Sequence, residues 1–418
     1  MKRLYSKFTL LLTVLLCVNS IAKAQKIADG LLRLANQDKA TNARVAAPNG
    51  LAELGNDFIQ IMGNKVVVEA TTTRNNVDEL KAELAALGMT NISSYGPVVS
   101  GLLPIAKIEE MNTIATLRFA YPGYKPETRV GSVTSQSFTA LNVDRAQEKF
   151  GVTGKGVKIG ILSDSYNTLG GEAAGIASGN LPPEGVEILK ELDETGIDEG
   201  RGMAELIYDI APDADLAFYT AFESQTDFAA GIIALQEAGC DVIVDDIGYL
   251  TEPYFQDGVI SQAVDEVVLK GASYYSSAGN SSNDAFQDTG IGRFGGELDL
   301  TGIFNLSTGE TYTAPLEGEL YDFSGDGQFK RSLTLNTGQN FAISLQWVDP
   351  YFIASGDSTR TAKTDLDFFL VFPDLGLAFS AEEPNLITGD PIEFNGVSWN
   401  GEGVLNVELY VLKREGPE

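Results

Sequence analysis

Three polar residues lie where a chain of alternating strands and helices would carry reacting groups. Asp164 closes an apolar run in Ile161-Leu162-Ser163-Asp164-Ser165. A carboxylate at the carboxyl end of a parallel strand lies in the crevice where such sheets hold their active groups, although turns and helix caps use aspartate as readily. Glu199, in Asp198-Glu199-Gly200-Arg201-Gly202-Met203, opens the next helix. There it meets the positive end of the helix dipole, and partial burial would raise its pKa and make it a usable base. An ordinary first-turn glutamate is as easily placed. Asn280 follows Ser276-Ser277-Ala278-Gly279. An amide donor there could hold a developing oxyanion or close a turn. Glu205 and Asp209, four apart on the helix of Glu199, read as structural. The sequence contains no histidine, so a general base here has to be another residue type, and a carboxylate is the candidate.

The elements that position these residues fall into four segments: 1–24, 25–133, 134–290 and 291–418. In the second, 65–70 is β-rich, and 76–87 places Val77, Leu80, Leu84 and Leu87 on one helical face. Two strands follow over 92–103 around Gly96-Pro97, then a second helix over 105–114 and a last strand over 117–121. The order β-α-β-β-α-β is that of a ferredoxin-like α+β unit. A polar linker rich in serine and threonine covers 129–139. In the third segment, strands at 157–162, 216–219, 242–244 and 272–276 alternate with helices at 203–210, 228–238 and 260–269. That pattern predicts an α/β fold, a parallel sheet with helices on both faces. The fourth segment has short aromatic and β-branched runs at 341–347, 367–371 and 404–411 between glycine and aspartate turns, the pattern of an all-β sandwich.

Composition narrows the partners. The chain has 58 acidic and 29 basic residues, a formal net charge of −29, which argues against nucleic acid and anionic membranes. Residues 1–24 read as a signal peptide: Lys2, Arg3 and Lys7 precede an apolar run over 8–18, and Ala22-Lys23-Ala24 offers a cleavage site before Gln25. The expected destination is therefore secretion, extracellular or periplasmic, with no membrane association after signal removal. Cys240 is then the one remaining cysteine, so no intrachain disulfide forms, and its place before an apolar run reads as a buried thiol. No cofactor is required by any motif. Structural calcium is conceivable at acid-rich turns such as the one holding Asp322 and Asp326, though such turns are usually only solvated.

In combination these signals resemble the subtilase family, the subtilisin-like serine peptidases, over 139–282. Gly-Lys-Gly-Val-Lys-Ile-Gly-Ile-Leu-Ser-Asp-Ser at 154–165 is similar to that family's aspartate strand, and Ser276-Ser277-Ala278-Gly279-Asn280 to its oxyanion asparagine. Asp245-Asp246-Ile247-Gly248 falls where the family has its substrate-lining strand, which implies substrate contacts for Asp246, Ile247 and Gly248. The resemblance implies a subtilisin-like parallel sheet flanked by helices, an inhibitory prodomain in the ferredoxin-like unit and an attached β-domain at the end. It also implies a polypeptide substrate or ligand. Where the family has His-Gly-Thr, this chain has Asp198-Glu199-Gly200-Arg201. Glu199 stands 12 residues before Ala211-Pro212-Asp213-Ala214, a spacing that resembles the sedolisins, whose base is a glutamate. The sedolisin partner aspartate would fall on Met203, leaving Asp164 to orient Glu199 through a shared proton. The Gly-Thr-Ser motif of the nucleophile does not occur in the sequence.

Three readings follow. The first is a secreted serine-type peptidase lineage whose nucleophile segment is missing, by truncation or a split reading frame, and which is therefore expected to be inactive as this chain. The second is a non-catalytic secreted module that binds peptides or proteins on the same scaffold. The third is an unrelated hydrolase using Asp164 and Glu199 as a carboxylate pair.

Overall fold

The computed structural model describes residues 26–39, 51–53, 59–125, 127–128, 137–281, 284–290 and 293–417. The expected signal segment lies outside the described residues, as does most of the 129–139 linker.

Strand β1 (Lys65–Thr71), helix α1 (Val77–Ala86), strands β2 (Thr90–Tyr95) and β3 (Val98–Pro104), a 3-10 helix over Ile105–Thr113 and strand β4 (Phe119–Pro122) follow the expected split order. Strand β1 is central, with β3 and β4 antiparallel to it and β2 beyond β3. The second helix was expected to be α-helical. Its buried residues Ile105, Ile108 and Met111 recur every third position, which matches the three-residue turn of a 3-10 helix. One face of this sheet, with Val66, Val68, Ala70, Val99 and Leu103, packs on Leu80, Leu84 and Ile108. The other face turns toward the rest of the molecule.

The central sheet contains β5 (Lys158–Ser163), β6 (Glu187–Lys190), β7 (Asp215–Thr220), β8 (Val242–Asp245) and β9 (Ser273–Ser276), all parallel, in the order β9-β8-β5-β7-β6. Helix α2 (Glu172–Ser178) joins β5 to β6, and α3 (Glu199–Ile210) joins β6 to β7. Helix α4 (Gln225–Glu237) joins β7 to β8, and α5 (Val259–Leu269) joins β8 to β9. Alternate residues of each strand go to opposite faces. Ile159, Ile161, Leu216 and Phe218 pack with Ala204 of α3. Leu162, Ala217, Tyr219 and Ile243 pack with Phe228 and Ile232 of α4 and Ala263 and Val267 of α5. Helices thus cover both faces, as the periodicity predicts. The chain leaves β5 toward β6 on one side and reaches β8 on the other, so the connection reverses between β5 and β8. In open α/β sheets that reversal opens a crevice at the carboxyl ends of the strands.

The outward face of the first sheet docks on α4. Val98 joins the α4 cluster, the Ser100 and Ser224 hydroxyls lie 2.8 Å apart, and Ser93 Oγ donates to Asp227 Oδ1 at 2.5 Å. The last segment has two sheets. One runs through β10 (Arg331–Asn336), β12 (Asp365–Phe372), β13 (Leu377–Ala381) and β15 (Val404–Glu415). The other pairs β11 (Gln339–Gln346) with β14 (Ile392–Trp399). Phe368, Phe372 and Phe379 from the first share one cluster with Phe341, Val397 and Trp399 from the second. Leu51–Glu53, from the expected N-terminal unit, pairs antiparallel with β14.

Candidate active site

Asp164 leaves the end of β5 and is 1% exposed. Both of its oxygens are taken. Oδ1 accepts the Glu199 N–H at 2.9 Å, and Oδ2 accepts the Ile197 N–H at 2.6 Å and the Ser165 hydroxyl at 2.9 Å. The carboxylate therefore ties the carboxyl end of the central strand to the start of α3, supplying an acceptor for N–H groups that a helix start leaves without intrahelical partners. It holds Glu199 by its backbone.

Asp198 precedes α3 in the left-handed region, with φ 55°, a conformation costing a non-glycine residue roughly 1–2 kcal/mol. Its side chain accepts from Thr168 Oγ1 at 2.8 Å, from the Leu169 N–H at 3.1 Å and from Arg201 at 3.2 Å. Burial works against its charge, yet these donors outweigh it and hold the carboxyl below the usual range. Arg201 also reaches Glu205 at 3.2 Å, which places Glu205 in the scaffold. The close approach of β5, β7 and α3 depends on Gly200. A Cβ there would stand 2.3 Å from the Phe218 ring and 2.8 Å from the Ser165 carbonyl.

These anchors present the half-buried Glu199 carboxyl to Asp246, which follows β8 on the adjacent strand. The two carboxyls are close enough for each to shift the other, and one buried oxygen of each, Glu199 Oε2 and Asp246 Oδ1, meets no N–H or O–H donor. Two neighbouring carboxylates cannot both ionise cheaply, so one proton is shared. Burial first, then the charge and hydrogen bond of Asp246, then the charge of Asp164, push Glu199 up to about 8. Asp246 is also raised, chiefly by burial, with the Ser163 hydroxyl beside it as a counterweight. Asp245, one residue earlier, is pushed by burial to about 6 against hydrogen bonds from the Ser276 hydroxyl at 2.9 Å and the Ile247 N–H at 3.3 Å.

The arrangement differs from the sequence expectation in two respects. The proton partner of Glu199 is Asp246, expected only to line the substrate, whereas Asp164 is engaged with backbone N–H groups. Asn280 is exposed on the stretch after β9, and no hydrogen bond among the described residues joins it to Asp164, Glu199 or Asp246. Ile247 and Gly248, by contrast, form a short edge, and the backbone of Glu127–Thr128 lies antiparallel on it, Thr128 opposite Ile247 and Glu127 opposite Gly248. At the acid-rich turn of the last segment, the Asp322 carboxylate accepts the N–H groups of Ser324, Gly325, Gly327 and Gln328. Among the described residues no group of three or more histidine, cysteine or acidic side chains is placed to hold a metal ion. No helix among them is long and apolar enough to cross a membrane.

No family model matches the chain, and no curated protein does. Among solved structures it is similar to a mutant form of the epidermin leader peptide processing serine protease of Staphylococcus aureus, at 10% identity and TM-score 0.33, over 52% of this chain and 61% of that one. It is similar to fervidolysin from Fervidobacterium pennivorans, a keratinolytic enzyme related to subtilisin, at 11% identity and TM-score 0.35, over 90% and 81%. It is also similar to the CspB protease of Clostridium perfringens at 12% identity and TM-score 0.33, over 68% and 66%. Likeness at this level establishes neither fold nor activity for this chain.

Proposed function

We propose that this protein is a secreted member of the subtilisin-like serine peptidase lineage that binds extended polypeptide along Ile247–Gly248, beside Asp246 and Glu199. The pairing of Glu127–Thr128 with that edge carries the reading. An extended segment already lies there in antiparallel register, and strand addition to an exposed edge is a general mode of peptide recognition. The lineage is supported by the 154–165 motif, by Asp164 at the end of the central strand and by Glu199 at the start of α3. The βαββαβ unit seated on α4 is the prodomain of this reading, and the last segment its attached β-domain. No Gly-Thr-Ser occurs in these 418 residues, so serine-type turnover by them is not part of the proposal. In that respect the protein acts as a peptide- or protein-binding module on a peptidase scaffold.

The test releases the segment that covers the edge. Proline has no N–H to give to a ladder, so E127P/T128P should free Ile247–Gly248. Fluorescence anisotropy should then show saturable binding of a labelled unstructured peptide that the parent chain binds weakly. Equal binding by both proteins, or none by either, would sink the reading.

A further inference from the structure

The Glu199–Asp246 pair is more than the base of a serine mechanism requires. Asp246 is 8% exposed, yet its Oδ1 receives no N–H or O–H from another group, and Glu199 Oε2 is likewise buried without a donor. Buried polar atoms are nearly always satisfied. Two adjacent carboxyls, each with a buried oxygen that no N–H or O–H satisfies, call for a proton between them, and such a pair is a chemical feature that calls for a role. Independently, an extended stretch of polypeptide lies on Ile247–Gly248, the two residues that follow Asp246. A proton-sharing acid pair and a polypeptide-holding edge are thus contiguous in the chain, at the carboxyl ends of the two strands where the sheet connection reverses.

We propose that Glu199 and Asp246 together activate water to hydrolyse extended polypeptide held on Ile247–Gly248, without a serine nucleophile. The inference rests on the reading of that edge as a polypeptide-binding site. The ionised carboxylate takes a proton from water as its oxygen attacks the peptide carbonyl carbon, while the protonated carboxyl gives its proton to the carbonyl oxygen. This yields a gem-diol and leaves the pair with one proton, now on the other member. In the collapse, that member protonates the peptide nitrogen and its neighbour takes a proton from one gem-diol hydroxyl. The C–N bond breaks, and a carboxylic acid and an amine leave. The pair returns to its starting state, with one water consumed. Asp164 is a positioning residue in this scheme, both oxygens being held by other groups.

The full-length E127P/T128P protein, with the edge free, and the parent chain are each incubated with a quenched-fluorescent unstructured peptide across acidic to alkaline pH, with and without a sulfonyl fluoride. Mass spectrometry follows cuts in the protein's own chain near Glu127–Thr128. The expected result is cleavage that ignores the sulfonyl fluoride and falls away above about pH 8, where the pair loses its shared proton. E199Q and D246N should each lower it about 100-fold or more. D246N changes a buried group, so E199Q, on a half-buried side chain, decides the matter if D246N does not fold. Peptide binding by the E127P/T128P protein with no cleavage at any pH overturns the water mechanism and leaves the edge reading standing. Cleavage abolished by the sulfonyl fluoride, or undiminished in E199Q, also overturns it. Absence of peptide binding is the separate result that removes the edge reading.

Discussion

Replacing Glu69 with glutamine should stabilise the protein at neutral pH and leave it nearly unchanged in acid. Glu69 lies in the middle of β1 on the face turned to α4, 6% exposed, with Oε1 unpaired. Burial raises its pKa from 4.5 to about 7, and the Thr226 and Gln225 backbone amides at the start of α4 only partly counter this. The folded-state value lies above the unfolded one. The contribution of Glu69 is therefore complete below pH 4.5, where both states hold the proton, and is lost as pH rises through 7, because only the unfolded chain releases its proton early. At 1.36 kcal/mol per pH unit, the interval from 4.5 to about 7 amounts to roughly 3 kcal/mol. Glutamine keeps an oxygen for the two amides and cannot ionise. Urea unfolding of both proteins should show equal stability below pH 4.5 and a gap opening to roughly 3 kcal/mol in favour of E69Q above pH 7. Other buried carboxyls titrate in both proteins and cancel in the difference. A gap that stays flat across this range, or that favours the parent at high pH, would refute the reasoning.

Two further outcomes follow from packing. Gly200→Ala should cost about 1–3 kcal/mol by overpacking against Phe218 and the Ser165 carbonyl, measured by urea unfolding; a neutral result would mean α3 has room to shift. Cys240 is buried, and burial pushes its thiol up to about 11, so a disulfide reagent at pH 8 should label it only after denaturant is added; fast labelling of the native protein would contradict its placement against Leu235 and Gly160.

The central strands were legible because each is a short apolar run, as in Lys158–Ser163 and Val242–Asp245. Helix α2 and strand β6 were not. Helix α2 is seven residues of glutamate, serine, alanine and glycine with a single isoleucine, too short for a periodic face. Strand β6 is an edge strand of exposed and half-buried residues, without the apolar run of its neighbours. Asp164 and Glu199 could be picked out because their value as candidates is local, a strand end and a helix start. The role of Asp246 depends on β8 lying beside β5 with Asp245 opposite Leu162, a non-local pairing that no window of sequence encodes. Reading Asp246 as a substrate contact placed it in the crevice without its neighbour Glu199. Asn280 shows the converse, since a turn asparagine and an oxyanion donor look alike until the surrounding groups are known.

The absence of histidine shifts proton chemistry in this molecule onto buried carboxyls. Histidine is the side chain whose ordinary pKa falls between pH 5 and 8. Here burial is the first cause that brings Glu199 to about 8, Glu69 and Glu383 to about 7 and Asp390 to about 6. Glu69 lies between the first sheet and α4. Glu383 accepts the Asp29 N–H at the start of the Asp29–Lys39 helix, and Asp390 accepts the Tyr121 hydroxyl. Each of the latter three therefore lies where the N-terminal unit meets the rest of the protein. All have folded-state values above their ordinary ones, so each loses its stabilising contribution as pH rises toward its folded value, and the net charge of −29 adds self-repulsion in the same direction. The shared proton of the Glu199–Asp246 pair and the seating of the N-terminal unit thus depend on overlapping proton occupancies. A rise in pH that takes the proton from the pair therefore also removes the stabilising contributions of Glu69, Glu383 and Asp390.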